Sequence, residues 1–267
     1  MSRIASIFNQ PGHIALIPYV TVGYPSIEDT LKVVPLLASS GCDIVELGIP
    51  FSDPMADGVT IQKASFCALQ NGITPNLCLQ VTKKLSREVD IPLVFMTYFN
   101  PVFNSGMEEF CAACTGSGID GLIIPDLPPD EGLELEAITQ SQGLDLIYLL
   151  APTSTEERIS LVAKKSGGFI YLVSVTGVTG AREKLSENLE SFVTRVRNIT
   201  HKPLCIGFGI STPEQAQHVA RIADGVIVGS RLIQLMDAED GLGLQSVDSF
   251  IKGLRQALDK PAGKENP

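Results

Sequence analysis

Apolar positions fall along this chain in two alternating kinds of block. Residues 14–21, the run around Ile44-Val45-Glu46-Leu47, and residues 92–98, 120–125, 144–150, 169–174, 203–208 and 224–228 are near-continuous in Val, Ile and Leu. Such runs mark strands buried on both faces. Between them the apolar residues take a helical period. A helix to Ser40, capped by Ser26, presents Ile27, Leu31, Val34, Leu37 and Ala38 on one face, and Pro35 predicts a kink in it. Further helices are predicted over 60–70, 76–89, 106–116, from the loop 126–130 to Gln142, 155–165 with Thr153 or Ser154 as cap, up to about Thr200, from Ser211 to Ile222, and over 245–258. Asn100-Pro101 reads as a break after the third strand.

Eight strand-then-helix units of roughly 25 to 35 residues, with no linker between them, predict a closed (β/α)8 TIM barrel, with a doubly wound open sheet as the competing arrangement. Ile4, Ile7 and Phe8 give the leading segment an apolar side, predicting a short extra N-terminal helix. The length of 267 residues suits one such barrel, expected over 1–259, with the polar ending 260–267 as a frayed tail.

Composition changes this picture little. A hydrophobic share of 44% and a mean hydropathy of +0.21 follow from doubly buried strands, since no run reaches membrane-spanning length. The start Met1-Ser2-Arg3-Ile4-Ala5 lacks the pattern of a secretory signal, so a cytoplasmic protein is expected. A formal net charge of −10 argues against nucleic acid and against an anionic membrane surface. Of the six cysteines only Cys111 and Cys114 are spaced CxxC, with no second pair and no histidine near in sequence, so packed thiols are expected and no metal site. None of His13, His201 and His218 is assigned to catalysis.

Candidate chemistry gathers on Glu46-Leu47-Gly48-Ile49-Pro50-Phe51-Ser52-Asp53-Pro54-Met55-Ala56-Asp57-Gly58. Strand alternation puts Glu46 on one face with Ile44 and Gly48, where a carboxylate is costly to bury and its pKa must rise. The following loop carries Asp53 and Asp57, which can fold back over the strand end. Two carboxyls in different surroundings suit acid–base chemistry; a satisfied structural Glu with two turn aspartates is the plain alternative. At the ends of the last strands, Gly207, Gly209 and Gly229 leave room for backbone N–H groups to approach an anion, with Ser211 and Ser230 opening helices and Gly177 and Gly180 as a third wall. Tight turns alone would also use these glycines. Residues 175–186 read as a polar, glycine-flanked lid.

These residues resemble the alpha subunits of tryptophan synthase, through ELGIPFSDPMADG at 46–58, Tyr171 with SVTGVTG at 174–180, GFGIS at 207–211 and VIVGS at 226–230. The resemblance implies a lyase that splits indole-3-glycerol phosphate into indole and glyceraldehyde 3-phosphate in tryptophan biosynthesis. Carried over by position, Glu46 is the acid–base group and Asp57 binds the indole N–H; Gly180, Gly207, Gly209, Gly229 and Ser230 anchor the phosphate. Tyr98, Tyr171, Thr179 and Phe208 line the rest. It implies no cofactor in this chain, and a partner, the pyridoxal-phosphate-dependent beta subunit, in an α2β2 assembly. The contact loops would hold Asp53-Pro54, Asn100-Pro101-Val102-Phe103-Asn104 and Pro128-Pro129. A stand-alone lyase and a mainly regulatory subunit remain alternatives. Lys63, Lys83 and Lys84 fall on helices, which speaks against a lysine-type aldolase. The chain departs from the common pattern at Tyr24, Val59, Val175 and Arg231.

Overall fold

The structure is a computed structural model that describes residues 1–173, 182–207, 209–237 and 243–260, with the backbone alone for 182–187. Its parallel strands are β1 (Ala15–Thr21), β2 (Val45–Gly48), β3 (Leu93–Met96), β4 (Gly121–Ile123), β5 (Asp145–Ile147), β6 (Leu149–Leu150), β7 (Ile170–Val173), β8 (Leu204–Gly207) and β9 (Gly225–Val228). Neighbours run in the order β5-β4-β3-β2-β1-β9-β8-β7-β6. The two ends of that row, β5 and β6, are one chain segment interrupted only at Tyr148, so the sheet is a ring of eight staves: the closed barrel expected from the sequence. Tyr148 leaves the ladder because its N–H bonds Ser166 Oγ at 3.0 Å, while its carbonyl accepts from Tyr171 N at 3.1 Å across the seam.

Alternation divides the strand side chains into two cores. Leu16, Val20, Val45, Leu47, Phe95, Leu122, Leu172, Ile206 and Val226 face outward under the helices. Ala15, Ile17, Ile44, Val94, Ile123, Ile147, Tyr171, Cys205 and Ile227 face inward, and Ile4 of the leading helix α1 (Arg3–Ile7) joins them, plugging the amino-terminal end. The barrel is therefore packed solid below and has its cleft above.

The helices follow the predicted period with shifted ends. They are α2 (Ile27–Ser39), running unbroken through Pro35, α3 (Val59–Gln70), α4 (Pro75–Leu85), α5 (Phe99–Asn104), α6 (Met107–Ser117), α7 (Leu133–Gln142), α8 (Glu156–Lys165), α9 (Arg182–Arg197), α10 (Pro213–Val219), α11 (Ser230–Met236) and α12 (Gly243–Asp259). Two caps differ from expectation. Thr155 caps α8 by accepting from Arg158 N, leaving Ser154 Oγ to hold Ala151 N, and Thr212 caps α10 with Pro213 at the first helical position. The segment at Asn100-Pro101 is helical rather than a break: Pro101 sits in the first turn of α5, where a missing N–H costs nothing, and Phe99 N bonds Asp126 Oδ1 at 2.9 Å. The short α11 has too few residues to show a period and was invisible in the pattern.

At the amino-terminal end, carboxylates clasp neighbouring strands. Asp43 Oδ2 accepts from Leu16 N at 2.8 Å, Asp120 from Leu93 N at 3.0 Å and Asp224 from Leu204 N at 2.8 Å. Asp43 also pairs with His13 at 2.7 Å and with Arg255 at 3.1 Å. Removing it leaves the buried Leu16 N–H without its acceptor and takes from the Arg255 guanidinium one of its two carboxylates, so Asp43→Ala is expected to cost about 2–4 kcal/mol, read as a lowered denaturant midpoint; an unchanged midpoint would contradict the clasp.

Candidate active site

Glu46 sits on β2 with Tyr19 of β1 and Val94 of β3 as its register partners. Its side chain is fully buried and neither carboxyl oxygen has a hydrogen-bond partner among the described residues. Desolvation without compensation pushes its pKa up to about 8, so the group holds its proton at neutral pH.

The loop after β2 brings the second carboxyl back over the barrel mouth. Asp57 N bonds Pro54 O at 3.1 Å and Met55 N bonds Asp53 O at 2.9 Å, curling the segment, while Phe51 stacks on Tyr98 with ring centroids 5.1 Å apart. Tyr98 donates to Asp57 Oδ2 at 3.1 Å and accepts from Ala56 N at 3.0 Å, so one phenol fixes the loop. Burial raises the Asp57 carboxyl to about 6, a rise that the Tyr98 bond restrains. Near pH 7 one carboxyl is protonated and the other ionised, the asymmetry that acid–base work needs.

One cleft is lined by Glu46, Asp57, Tyr171, Gly207, Gly209, Gly229 and Ser230, all singled out by the sequence, together with Tyr19, Ala56, Gly58, Ile61, Met96 and Ile227, which it did not single out. Tyr98 is not in that lining and reaches the cleft through Asp57. A Cβ at Gly48 would stand 2.1 Å from the Tyr19 hydroxyl, and one at Gly207 2.3 Å from that of Tyr171, so each glycine makes room for a phenol from the neighbouring strand. Gly209 adopts a φ of 64°, a left-handed turn that favours glycine. Thr179, Gly180 and Phe208, with Gly177 and Val175, lie outside the described residues, as do 175–181 of the expected lid; residues 182–186 already belong to α9. The alternation Ile17, Tyr19, Thr21 on β1 was the signal that could have found Tyr19.

The expected contact residues lie on the same rim. Asp53 and Asn100 are exposed, Pro54 and Pro128 half-buried, and Phe103 is 61% exposed, whereas Val102 is buried and Pro129 is covered, its carbonyl accepting from Lys165 Nζ at 2.6 Å. Met55 (93%) and Leu133 (66%) extend the apolar character of the rim. Of the departures, Tyr24 is buried against Tyr19 and Ile233, Val59 opens α3, and Arg231 points outward to Gln234 Oε1 at 3.5 Å. Cys111 and Cys114 are both buried in the outer core, with the Cys111 thiol pushed up to about 11. No grouping of His, Cys, Asp and Glu among the described residues is arranged to hold a metal ion, and no described helix is long and apolar enough to cross a membrane.

Comparison with known proteins points one way. The family model described as tryptophan synthase alpha chain matches residues 6–259. The tryptophan synthase alpha chain of Dehalococcoides mccartyi is 57% identical over 259 residues, covering 97% of this chain and 100% of the relative. That of a Geobacter species (strain M21) is 47% identical, covering 97% and 99%. Tryptophan synthase subunit alpha from Legionella pneumophila superposes with a TM-score of 0.90 at 35% identity, over 97% of this chain and 99% of that one. The aminoacrylate-bound tryptophan synthase of M. tuberculosis gives 0.87 at 34% identity, over 97% and 100%.

The raised Glu46 pKa makes a prediction about stability independent of any activity. The folded state holds a proton that the unfolded chain releases above about 4.5, so stability falls as pH rises from there to about 8. Glu46→Gln removes that loss. At pH 9 the variant should be more stable than the parent, by up to about 4 kcal/mol, whereas the two should differ least near pH 4; parallel pH–stability curves would show that Glu46 is not held protonated.

Proposed function

The chain belongs to the tryptophan synthase alpha-chain family, and from that membership we propose how its cleft divides the work of the family's lyase reaction. The reaction splits indole-3-glycerol phosphate into indole and glyceraldehyde 3-phosphate. Breaking the bond between the ring and the glycerol chain requires a proton on the ring carbon and loss of a proton from the adjacent hydroxyl.

Glu46 begins protonated and gives its proton to that ring carbon. Its carboxylate then takes the hydroxyl proton; the pair of the broken O–H bond becomes the second C–O bond of the aldehyde, the C–C pair returns to the ring, and Glu46 ends protonated as it began. Asp57, ionised, accepts the indole N–H and stabilises the cationic ring between the two transfers. Gly207, Gly209 and Gly229 with Ser230, on the opposite side of the cleft, supply amides for the phosphate, a role in which Gly180 and Thr179 join them and Phe208 adds apolar wall. The observation that carries this reading is a fully buried Glu46, without a hydrogen-bond partner among the described residues, in the same cleft as Asp57 and the glycine turns.

As an alpha chain the protein works with a beta subunit. We infer an α2β2 complex in the cytoplasm in which pyridoxal phosphate belongs to the beta chain, and in which the rim of Asp53, Pro54, Met55, Asn100, Phe103 and Pro128 meets it. Exposed apolar side chains beside the cleft support that placement.

Glu46→Gln should abolish indole release while phosphate-ester binding and fold persist; measurable turnover by this variant would end its assignment as the acid–base group. Asp57→Asn should lower kcat by about tenfold to a hundredfold. The kcat/KM profile should be bell-shaped, with an acid limb near pH 6 as Asp57 gains its proton and a basic limb near pH 8 as Glu46 loses its own. A profile flat across that range would contradict both assignments.

A further inference from the structure

The cleft contains a hydroxyl that the mechanism above does not use. Tyr19 lies on β1 directly across from Glu46, with its side chain on the same inward face and only 5% exposed. Its ring runs along the wall. Its Cβ lies 3.3 Å from where a Cβ on Gly229 would stand, at the phosphate side, and its hydroxyl reaches the level of Gly48, the next inward position beyond Glu46. The phenol therefore spans the stretch that a glycerol chain has to cross between the glycine turns and the acid–base group.

The hydrogen bonding of this phenol is half complete. Thr21 Oγ1 donates to the Tyr19 oxygen at 3.3 Å, which occupies one acceptor position and turns the phenolic O–H elsewhere. Among the described residues nothing accepts that proton. The close fit over Gly48 holds the ring in place, so the donor is positioned before any ligand arrives.

The substrate has a matching deficit. Its phosphate goes to the glycine turns, its ring N–H to Asp57 and its reacting hydroxyl to Glu46. The glycerol hydroxyl one carbon nearer the phosphate has no assigned partner, and in a closed site an unpaired hydroxyl is costly. Resting on the reading of this cleft as a glycerol-phosphate site, we propose that Tyr19 is a specificity-determining residue whose phenolic O–H donates to the non-reacting glycerol hydroxyl of the substrate. The proposal makes the wall at β1 a reader of the polyol chain, distinct from the proton-transfer group beside it.

Tyr19→Phe removes the oxygen alone and keeps the ring that fills the space over Gly48. Two phosphate esters give the readout: indole-3-glycerol phosphate, followed through kcat/KM in the alpha–beta complex, and indole-3-propyl phosphate, which lacks both glycerol hydroxyls, followed as an inhibition constant. The expected result is a loss of about tenfold in kcat/KM for the glycerol ester with an unchanged constant for the propyl ester, the loss expected from one neutral hydrogen bond. Equal losses with both esters would mean that Tyr19 is only a packing residue, and no loss with either would mean that its hydroxyl is unused; each result overturns the proposal. Glu46→Gln assayed alongside separates the two levels. If that variant turns over, the reading of the cleft fails, whereas an inactive Glu46→Gln with a wild-type-like Tyr19→Phe refutes the role of Tyr19 alone.

Discussion

A carboxyl group sealed from water, with no hydrogen-bond partner among the described residues, is the constraint around which this molecule is arranged. An unpartnered polar group at such a position costs free energy that folding has to recover elsewhere. The barrel recovers it by separating its two ends. Below Glu46 the barrel interior is closed by Ile17 and Ile44, with Ile4 as the plug. Above it the wall is thinned at Gly48, Gly207 and Gly229, where phenols and backbone take the place of side chains. A site that stores an unsatisfied acid at the floor of its cleft is a site set to spend it on a ligand.

The same separation explains the electrostatics. Glu46 and Asp57 share one cleft, yet among the described residues Glu46 has no hydrogen-bond partner and Asp57 has the Tyr98 hydroxyl. Fuller burial carries the Glu46 carboxyl above neutrality, while at Asp57 burial raises it less far and the Tyr98 bond restrains the rise. The loop residue Phe51, stacked on the same tyrosine, shows why the segment between them is built as it is: its aromatic contact and the Ala56 N–H hold Tyr98 still, and Tyr98 in turn holds Asp57.

Most of the architecture was legible because doubly buried parallel strands leave an unmistakable trace of continuous apolar runs, and because Glu46 interrupts one of them. Failures occurred where local rules compete. Thr155 and Thr212 outbid the neighbouring Ser154 and Ser211 as caps, since all four are capable residues and only tertiary position decides. Asn100-Pro101 reads as a break after the third strand, whereas Pro101 is a first-turn proline of α5. Val102, read as exposed apolar surface, turns inward because α5 gives it a buried face. Of the site, the carboxyls and glycines announced themselves by being out of place, whereas Tyr19, Met96 and Ile227 look like ordinary strand residues and become cleft wall only through the height at which β1, β3 and β9 end.

The seam in the fifth stave has a mechanical meaning. The Tyr148 hydroxyl bonds Glu136 Oε1 at 2.7 Å, the same oxygen takes Lys165 Nζ at 2.9 Å, and Lys165 holds the Pro129 carbonyl on the rim. From Tyr148 the carbonyl continues to the amide of Tyr171, a wall of the cleft four staves away from Glu46 in either direction around the ring. The covered turn at Pro129 is thereby joined through Lys165, Glu136 and Tyr148 to the cleft wall at Tyr171, so that the rim and that wall are held in one hydrogen-bonded linkage.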